Sequence, residues 1–215
     1  MREVQSSVIE GLLEFDPATL YEAAGQRGMV DPSIKPAWAG ARLGGAIFTA
    51  ECPPRDNLML HHAVACAPPG SIIVANIGSY LLAGAWGEIL TTAAQARGIA
   101  GLAVDGAVRD VDAIAERRFP VFSRGLAIGA CTKERLGTLN QPIQFGGLTV
   151  RPGDIIVGNS DGIVIVESER AEEVYENALR RRMNETRIMQ EIERGKTTVE
   201  LLGLAGHPQI ENGKE

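Results

Sequence analysis

Two short stretches of this chain carry residue types that could do chemistry together: GAWGEIL, residues 84–90, and VDGAVRDVD, residues 104–112. In the first, Gly84 and Gly87 flank Trp86, and a helix is expected to begin near Glu88. The N–H groups of Glu88, Ile89 and Leu90 would then have no partners inside the helix. With the helix dipole behind them, they suit a carboxylate or phosphate. The stretch is no dinucleotide fingerprint, because it lacks GxGxxG spacing and no acidic residue closes a following strand. In the second, a buried strand ends at Asp105-Gly106, and Arg109 and Asp110 follow at a helix start. Open α/β sheets gather ligands at such carboxyl ends of strands. Asp105 and Asp112 are explained equally well as turn and helix-start residues. Arg109 can fork onto a carbonyl or carboxylate oxygen, and Asp110 offers a hard oxygen ligand to a divalent cation.

Taken together, the stretches imply a metal held by Asp110 and by Glu88, directly or through water, facing an anion pocket. A 2-oxo acid suits that combination. Its carboxylate would meet the backbone N–H groups, and its carboxylate and keto oxygens would chelate the metal. The metal would stabilise the enolate left when a carbon–carbon bond breaks, with Arg109 adding charge. Other residues offer less. His61 and His62 are sequential, so on a helix they diverge by about 100° and do not readily chelate one ion. His207 stands alone near the C-terminus. Among Lys35, Lys133, Lys196 and Lys214, only Lys133 in CTKERLG is placed for a Schiff base. No P-loop or HExxH motif occurs.

The elements that would position these residues follow from pattern. DPATLYEAAG predicts a helix with Asp16 as N-cap, Pro17 at N1 and Gly25 as its stop. GGAIFTAEC reads as a strand, NLMLHHAVACA as a helix and SIIVANI as a strand buried on both faces. GEILTTAAQARG then reads as a helix, IAGLAVDG as a buried strand and VRDVDAIAERR as a helix. The later chain is expected to be strand-rich, through GLAIGA, QPIQFGGLTV and RPGDIIVGNSDGIVIV, with Pro152-Gly153 and Asp161-Gly162 as turns. This order predicts a mixed α/β domain rather than a regular doubly wound sheet. Ser168 can cap a long final helix reaching about Gly195. Ala171, Ala178, Glu185 and Ile192 lie seven residues apart, which puts Glu185 on its apolar stripe. Such a helix is expected to pack on another subunit. One domain over 1–195 and a tail over 196–215 are expected.

Composition sets the outer limits. Apolar residues make up 45% and charged residues 22% of 215, the balance of a globular protein with a real core. A formal charge of −6 argues against sequence-independent nucleic-acid binding. Cys52, Cys66 and Cys131 are widely spaced and odd in number, as expected for reduced thiols in a cytoplasmic protein. Neither a signal-peptide run nor a membrane span is found in the sequence.

At GAWGEILTTAAQARGIAGLAVDGAVRDVDAI the sequence resembles the class II pyruvate aldolases that cleave 4-hydroxy-4-methyl-2-oxoglutarate and 4-carboxy-4-hydroxy-2-oxoadipate, in one superfamily with the regulators of ribonuclease E activity. The likeness runs from about Glu22 to Leu204 and includes IKPAWAGARLGGAIFTA, FPVFSRG, TKERLG and RPGDIIVGNSDGIVIV. It implies an α/β/β-layered sandwich similar to the swivelling phosphohistidine domain. It implies that Asp110 binds Mg²⁺ or Mn²⁺ and that Glu88 holds metal-bound waters. Arg109 would contact the keto or enolate oxygen, and the backbone at Gly87, Ile89 and Leu90 would take the pyruvate carboxylate. The family forms trimers or hexamers in which a neighbour's C-terminal helix supplies a Glu. Glu185 fits that role first, with Glu191 and Glu193 as alternatives. One departure is clear: the aldolases carry Asp where this chain has Glu88. The resemblance thus implies retro-aldol release of pyruvate, with oxaloacetate decarboxylation by the same enolate chemistry. The alternatives are a non-catalytic regulator-like binding protein and a lyase or hydratase for an unrelated oxo acid.

Overall fold

The computed structural model describes residues 4–204, so His207, Lys214 and most of the expected tail lie outside the described residues. The chain divides into two compact units between Ala178 and Leu179. The first unit opens with helices α1 (Ser6–Leu13) and α2 (Pro17–Ala23) and the short strand β1 (Lys35–Pro36). Then come β2 (Leu43–Glu51), α3 (Leu58–Cys66), β3 (Ile72–Gly84), α4 (Glu88–Ala96), β4 (Gly101–Val108), α5 (Val111–Glu116) and β5 (Val121–Leu126). Short strands follow: β6 (Thr138–Leu139), β7 (Ile143–Phe145), β8 (Leu148–Val150), β9 (Ile155–Gly158) and β10 (Ile163–Val166). Asp16 stands at the N-cap and Pro17 at N1 of α2 as expected, although the Asp16 carboxylate accepts from Arg42 and Asn159 rather than from the helix's own N–H groups.

The main sheet runs β1-β5-β4-β3-β2-β9-β10, with β2 through β5 parallel. Each crossover between neighbouring parallel strands is one of α3, α4 and α5. β2 bends the sheet back on itself: Ile47–Glu51 pair with β3, while Leu43–Ala46 pair antiparallel with β9. The result is a mixed α/β fold with a nearly closed, barrel-like sheet. One core lies between the helices and the parallel strands, where Leu60, Val64, Leu90 and Ile114 meet Ile73, Leu102 and Val104. A second core lies on the other face, where Val74, Ala103 and Phe122 meet Ile143, Phe145, Ile156 and Ile165. All of β4 is buried because it is covered on both faces, which is why GLAVDGAV shows no polar alternation.

Four sequence expectations shift. β3 runs on to Gly84 through register shifts after Asn76 and Tyr80, helped by positive φ at Gly78 (67°) and Ser79 (53°). Val108 stays in the sheet against Leu126, so α5 begins only at Val111. Of GLAIGA only Gly125 and Leu126 are strand, as the end of β5; beyond Leu126 its partner β4 has ended, and the chain leaves as a loop. Ser168 begins a single 3₁₀ turn, Ser168–Arg170, with its N–H held by Asp154 Oδ1 at 3.0 Å; helix α6 (Ala171–Glu193) follows. The second unit contains the later part of α6 and the short α7 (Thr198–Leu201), closed by a Thr197–Glu200 capping box. Among the described residues, no helix is long and apolar enough to cross a membrane.

Candidate functional site

The sheet delivers both sequence stretches to one place. Ala85 N donates to Ala107 O at 2.8 Å, and Arg109 N donates to Trp86 O at 2.9 Å, so the loop before α4 lies against the end of β4. Trp86 anchors that loop. It is fully buried, donates its indole N–H to Thr91 at 2.8 Å and stacks on Phe119 with ring centroids 6.1 Å apart. The two glycines are a steric requirement. A Cβ on Gly87 would stand 2.3 Å from Asp110 Oδ2, and one on Gly84 would stand 2.8 Å from Arg109 Cβ.

Asp110 occupies the N-cap position of α5 in the left-handed conformation, φ 57° and ψ 37°, which non-glycine residues adopt at a cost and which clusters at functional sites. Its Oδ2 accepts the Glu88 N–H at 3.1 Å and lies 3.6 Å from Arg109 Nε. Both side chains remain substantially exposed, at 40% for Arg109 and 43% for Asp110. The first bond inside α4 is Thr91 N to Gly87 O, so the helix itself gives Ile89 and Leu90 N–H no acceptor. These donors, with Arg109 and Asp110, line a cleft of about 70 Å³.

The Glu88 carboxylate pairs with Arg117, accepting Nη2 at 2.8 Å and Nε at 3.2 Å, and does not line the cleft; only its backbone N–H reaches Asp110. Asp105 lies apart from the cleft in a buried network, where Arg124 donates through Nε at 2.7 Å, Ser79 through its hydroxyl at 2.8 Å and Gly146 through its N–H at 3.2 Å. Glu185 belongs to the second unit, where it pairs with Arg181 at 2.8 Å. Glu191 pairs there with Arg194 and Lys196, at 2.6 and 2.5 Å.

A second set of residues, Asn57, His61 and Lys133, also walls the cleft. Asn57 is 7% exposed and donates Nδ2 to Ala85 O at 2.8 Å, while its buried Oδ1 accepts nothing. A buried acceptor left without a partner is uncommon in folded proteins and calls for an explanation at this position. Burial first, then the charge of Lys133, holds His61 below the usual imidazole range. Asn57 and His61 stand about thirty residues before Trp86, so no local motif joins them to the cleft; Lys133 stood out in sequence only as the lysine placed for a Schiff base.

Among the described residues, no group of three or more His, Cys, Asp or Glu side chains converges on a point. A single hard carboxylate, Asp110, beside backbone donors and neutral oxygens fits a cation that keeps most of its own waters, as Mg²⁺ does. A zinc-type cage does not fit.

A match to the RraA-like family, described as Aldolase/RraA, spans residues 17–165. A protein of Halalkalibacterium halodurans named "Putative 4-hydroxy-4-methyl-2-oxoglutarate aldolase" is 35% identical over 153 residues, covering 71% of this chain and 73% of that one. The crystal structure of an uncharacterized protein from Pseudomonas syringae pv. tomato superposes with a TM-score of 0.84 at 30% identity, covering 94% of this chain and all of that one. The RNA-processing inhibitor RraA from Thermus thermophilis shares the fold, with a TM-score of 0.65 at 22% identity over 71% of this chain and 92% of its own. The chain belongs to the RraA-like family.

Proposed function

We propose that this protein is a divalent-metal-dependent lyase that breaks a carbon–carbon bond in a 2-oxo acid and releases pyruvate. The observation that carries the reading is the convergence of Arg109, Asp110 and the free N–H groups of Ile89 and Leu90 on one small cleft. The aldolase names borne by relatives support the same reaction class. In this reading the substrate carboxylate lies on the α4 N-terminus, where partial positive charge favours it. Asp110 would hold Mg²⁺ or Mn²⁺, and the ion would supply Lewis-acid stabilisation of charge on the keto oxygen. Arg109 faces that same oxygen. When the bond next to C3 breaks, its electron pair moves into C3–C2–O, and Arg109 stabilises the resulting enolate charge. A proton then returns to C3 to give pyruvate.

With a 4-hydroxy-2-oxo dicarboxylic or tricarboxylic acid, the other fragment leaves as a ketone or aldehyde after its C4 hydroxyl loses a proton. With oxaloacetate the fragment is CO₂, and no base is needed at C4. Oxaloacetate therefore tests the enolate chemistry without requiring the natural substrate. Homo-oligomerisation completes the reading. Arg109 and Asp110 also border an open groove of about 690 Å³ between Leu82 and Ile128. Exposed Leu81, Leu82, Leu126 and Ile128 make this an apolar rim that a second copy would cover. That copy would bring Glu185 to the cleft, in a trimer or hexamer.

The test is pyruvate release from oxaloacetate with Mg²⁺ or Mn²⁺, coupled to lactate dehydrogenase, with and without EDTA. Metal-dependent release that falls at least about a hundredfold in Asp110→Ala and Arg109→Ala is expected. No metal-dependent pyruvate from the wild type, or full activity in both variants, would overturn the reading.

A further inference from the structure

We infer that Asp56 is a positioning residue: its buried carboxylate ties the 131–135 loop to the start of α3 and so holds Lys133 and Asn57 as the second wall of the cleft. This rests on the lyase reading above and extends it to a residue that does not itself line the cleft. Asp56 is 1% exposed. Its Oδ1 accepts the Leu58 N–H at 3.0 Å. Its Oδ2 accepts the Thr132 hydroxyl at 2.7 Å, the Glu134 N–H at 2.8 Å and the Arg135 N–H at 3.2 Å.

The carboxylate therefore grips both neighbours of Lys133 along the chain and the first residue of α3. Main-chain bonds run alongside: Asn57 N donates to Thr132 O at 3.0 Å, and Thr132 N donates to Arg55 O at 2.9 Å. The two residues flanking this knot in sequence, Asn57 beside Asp56 and Lys133 beside Thr132, both line the cleft. Four donors on one buried carboxylate, three of them from a loop without regular structure, exceed what a helix start needs. A loop so held presents an ammonium at a fixed place. Untied, the same lysine would sample solvent, and substrate binding would have to order it.

The experiment is a double-mutant cycle between Asp56→Asn and Lys133→Ala, read as KM and kcat for oxaloacetate with Mn²⁺, beside amide hydrogen exchange of the loop. Asp56→Asn keeps the size but loses the charge and one acceptor. It is expected to raise KM about tenfold with kcat changed less, as Lys133→Ala does, and to add little further in the Lys133→Ala background. Glu134 and Arg135 amides are expected to lose protection while core β4 amides keep theirs. Should Asp56→Asn fail to fold, Thr132→Val removes one bond of the same knot and is expected to raise KM in the same direction by a smaller factor. Additive effects in the two backgrounds, an unchanged KM in a variant whose loop exchanges freely, or full loop protection in Asp56→Asn would each overturn the inference. Failure of the lyase reading looks different: the wild type itself releases no pyruvate, whereas the exchange arm still decides whether Asp56 fixes the loop.

Discussion

Gly87 shows how narrow the tolerances are around the reacting groups. Its backbone is extended, φ −159°, so alanine is conformationally acceptable there. The added methyl nevertheless points at Asp110 Oδ2, 2.3 Å away, and the carboxylate must move. A displacement of about 1 Å in a positioned group costs about a hundredfold in rate. Gly87→Ala is therefore expected to lose about two orders of magnitude in pyruvate release while its melting midpoint shifts by less than about 4 °C. Equal activity in wild type and variant would mean that Asp110 does not act from this position. At this scale the sequence was partly legible. Arg109, Asp110 and the free N–H groups of Ile89 and Leu90 could be placed because strand end and helix start are local patterns. The Arg117 partner of Glu88, 29 residues on, and the wall made by Asn57 and His61 could not, since only tertiary packing brings them in.

The elements are held partly by carboxylates, and acid should reveal this. Asp31 is held down to about 2 by the Ser33 N–H and then by Arg124. Burial opposes the charge of Asp56, but the Glu134 and Leu58 N–H groups, Thr132 and Arg135 bring it to about 2 as well. Both folded values lie below the ordinary 3.8, so the unfolded chain binds more protons in that range. Their stabilisation is complete above about pH 4 and is lost as pH falls from about 4 towards 2. Asp154 and Glu51, raised by burial, act in the opposite sense. Urea unfolding between pH 5 and 2.5 is expected to show falling stability, with a shallower slope in Asp31→Asn; an unchanged slope would remove Asp31 from the account. The apolar runs of β3, β4 and β9 were plain in sequence because burial on both faces leaves an apolar signature. The GLAIGA loop looked like another such run. Its Ile128 is instead 97% exposed, and no pattern distinguishes an apolar residue bound for a core from one left on a surface.

That exposed isoleucine belongs to the whole molecule's account. With Leu81, Leu82 and Leu126 it lines the groove that reaches Arg109 and Asp110, and among the described residues of one chain Asp110 is the one carboxylate that lines the cleft. Ile128→Glu is expected to shift sedimentation towards a smaller species and to lower activity, with the subunit's own stability changed by no more than about 0.5 kcal/mol. An unchanged oligomer would place the subunit contact elsewhere. The central claim, that the cleft stabilises an enolate with the help of a divalent cation, is tested most directly without any cleavage at all. Pyruvate in deuterium oxide with Mn²⁺ or Mg²⁺ should exchange its methyl protons when the protein is added, as followed by proton NMR. The account predicts exchange that EDTA stops and that Asp110→Ala and Arg109→Ala lose. Exchange no faster than with metal alone, or exchange equally fast in both variants, would contradict it.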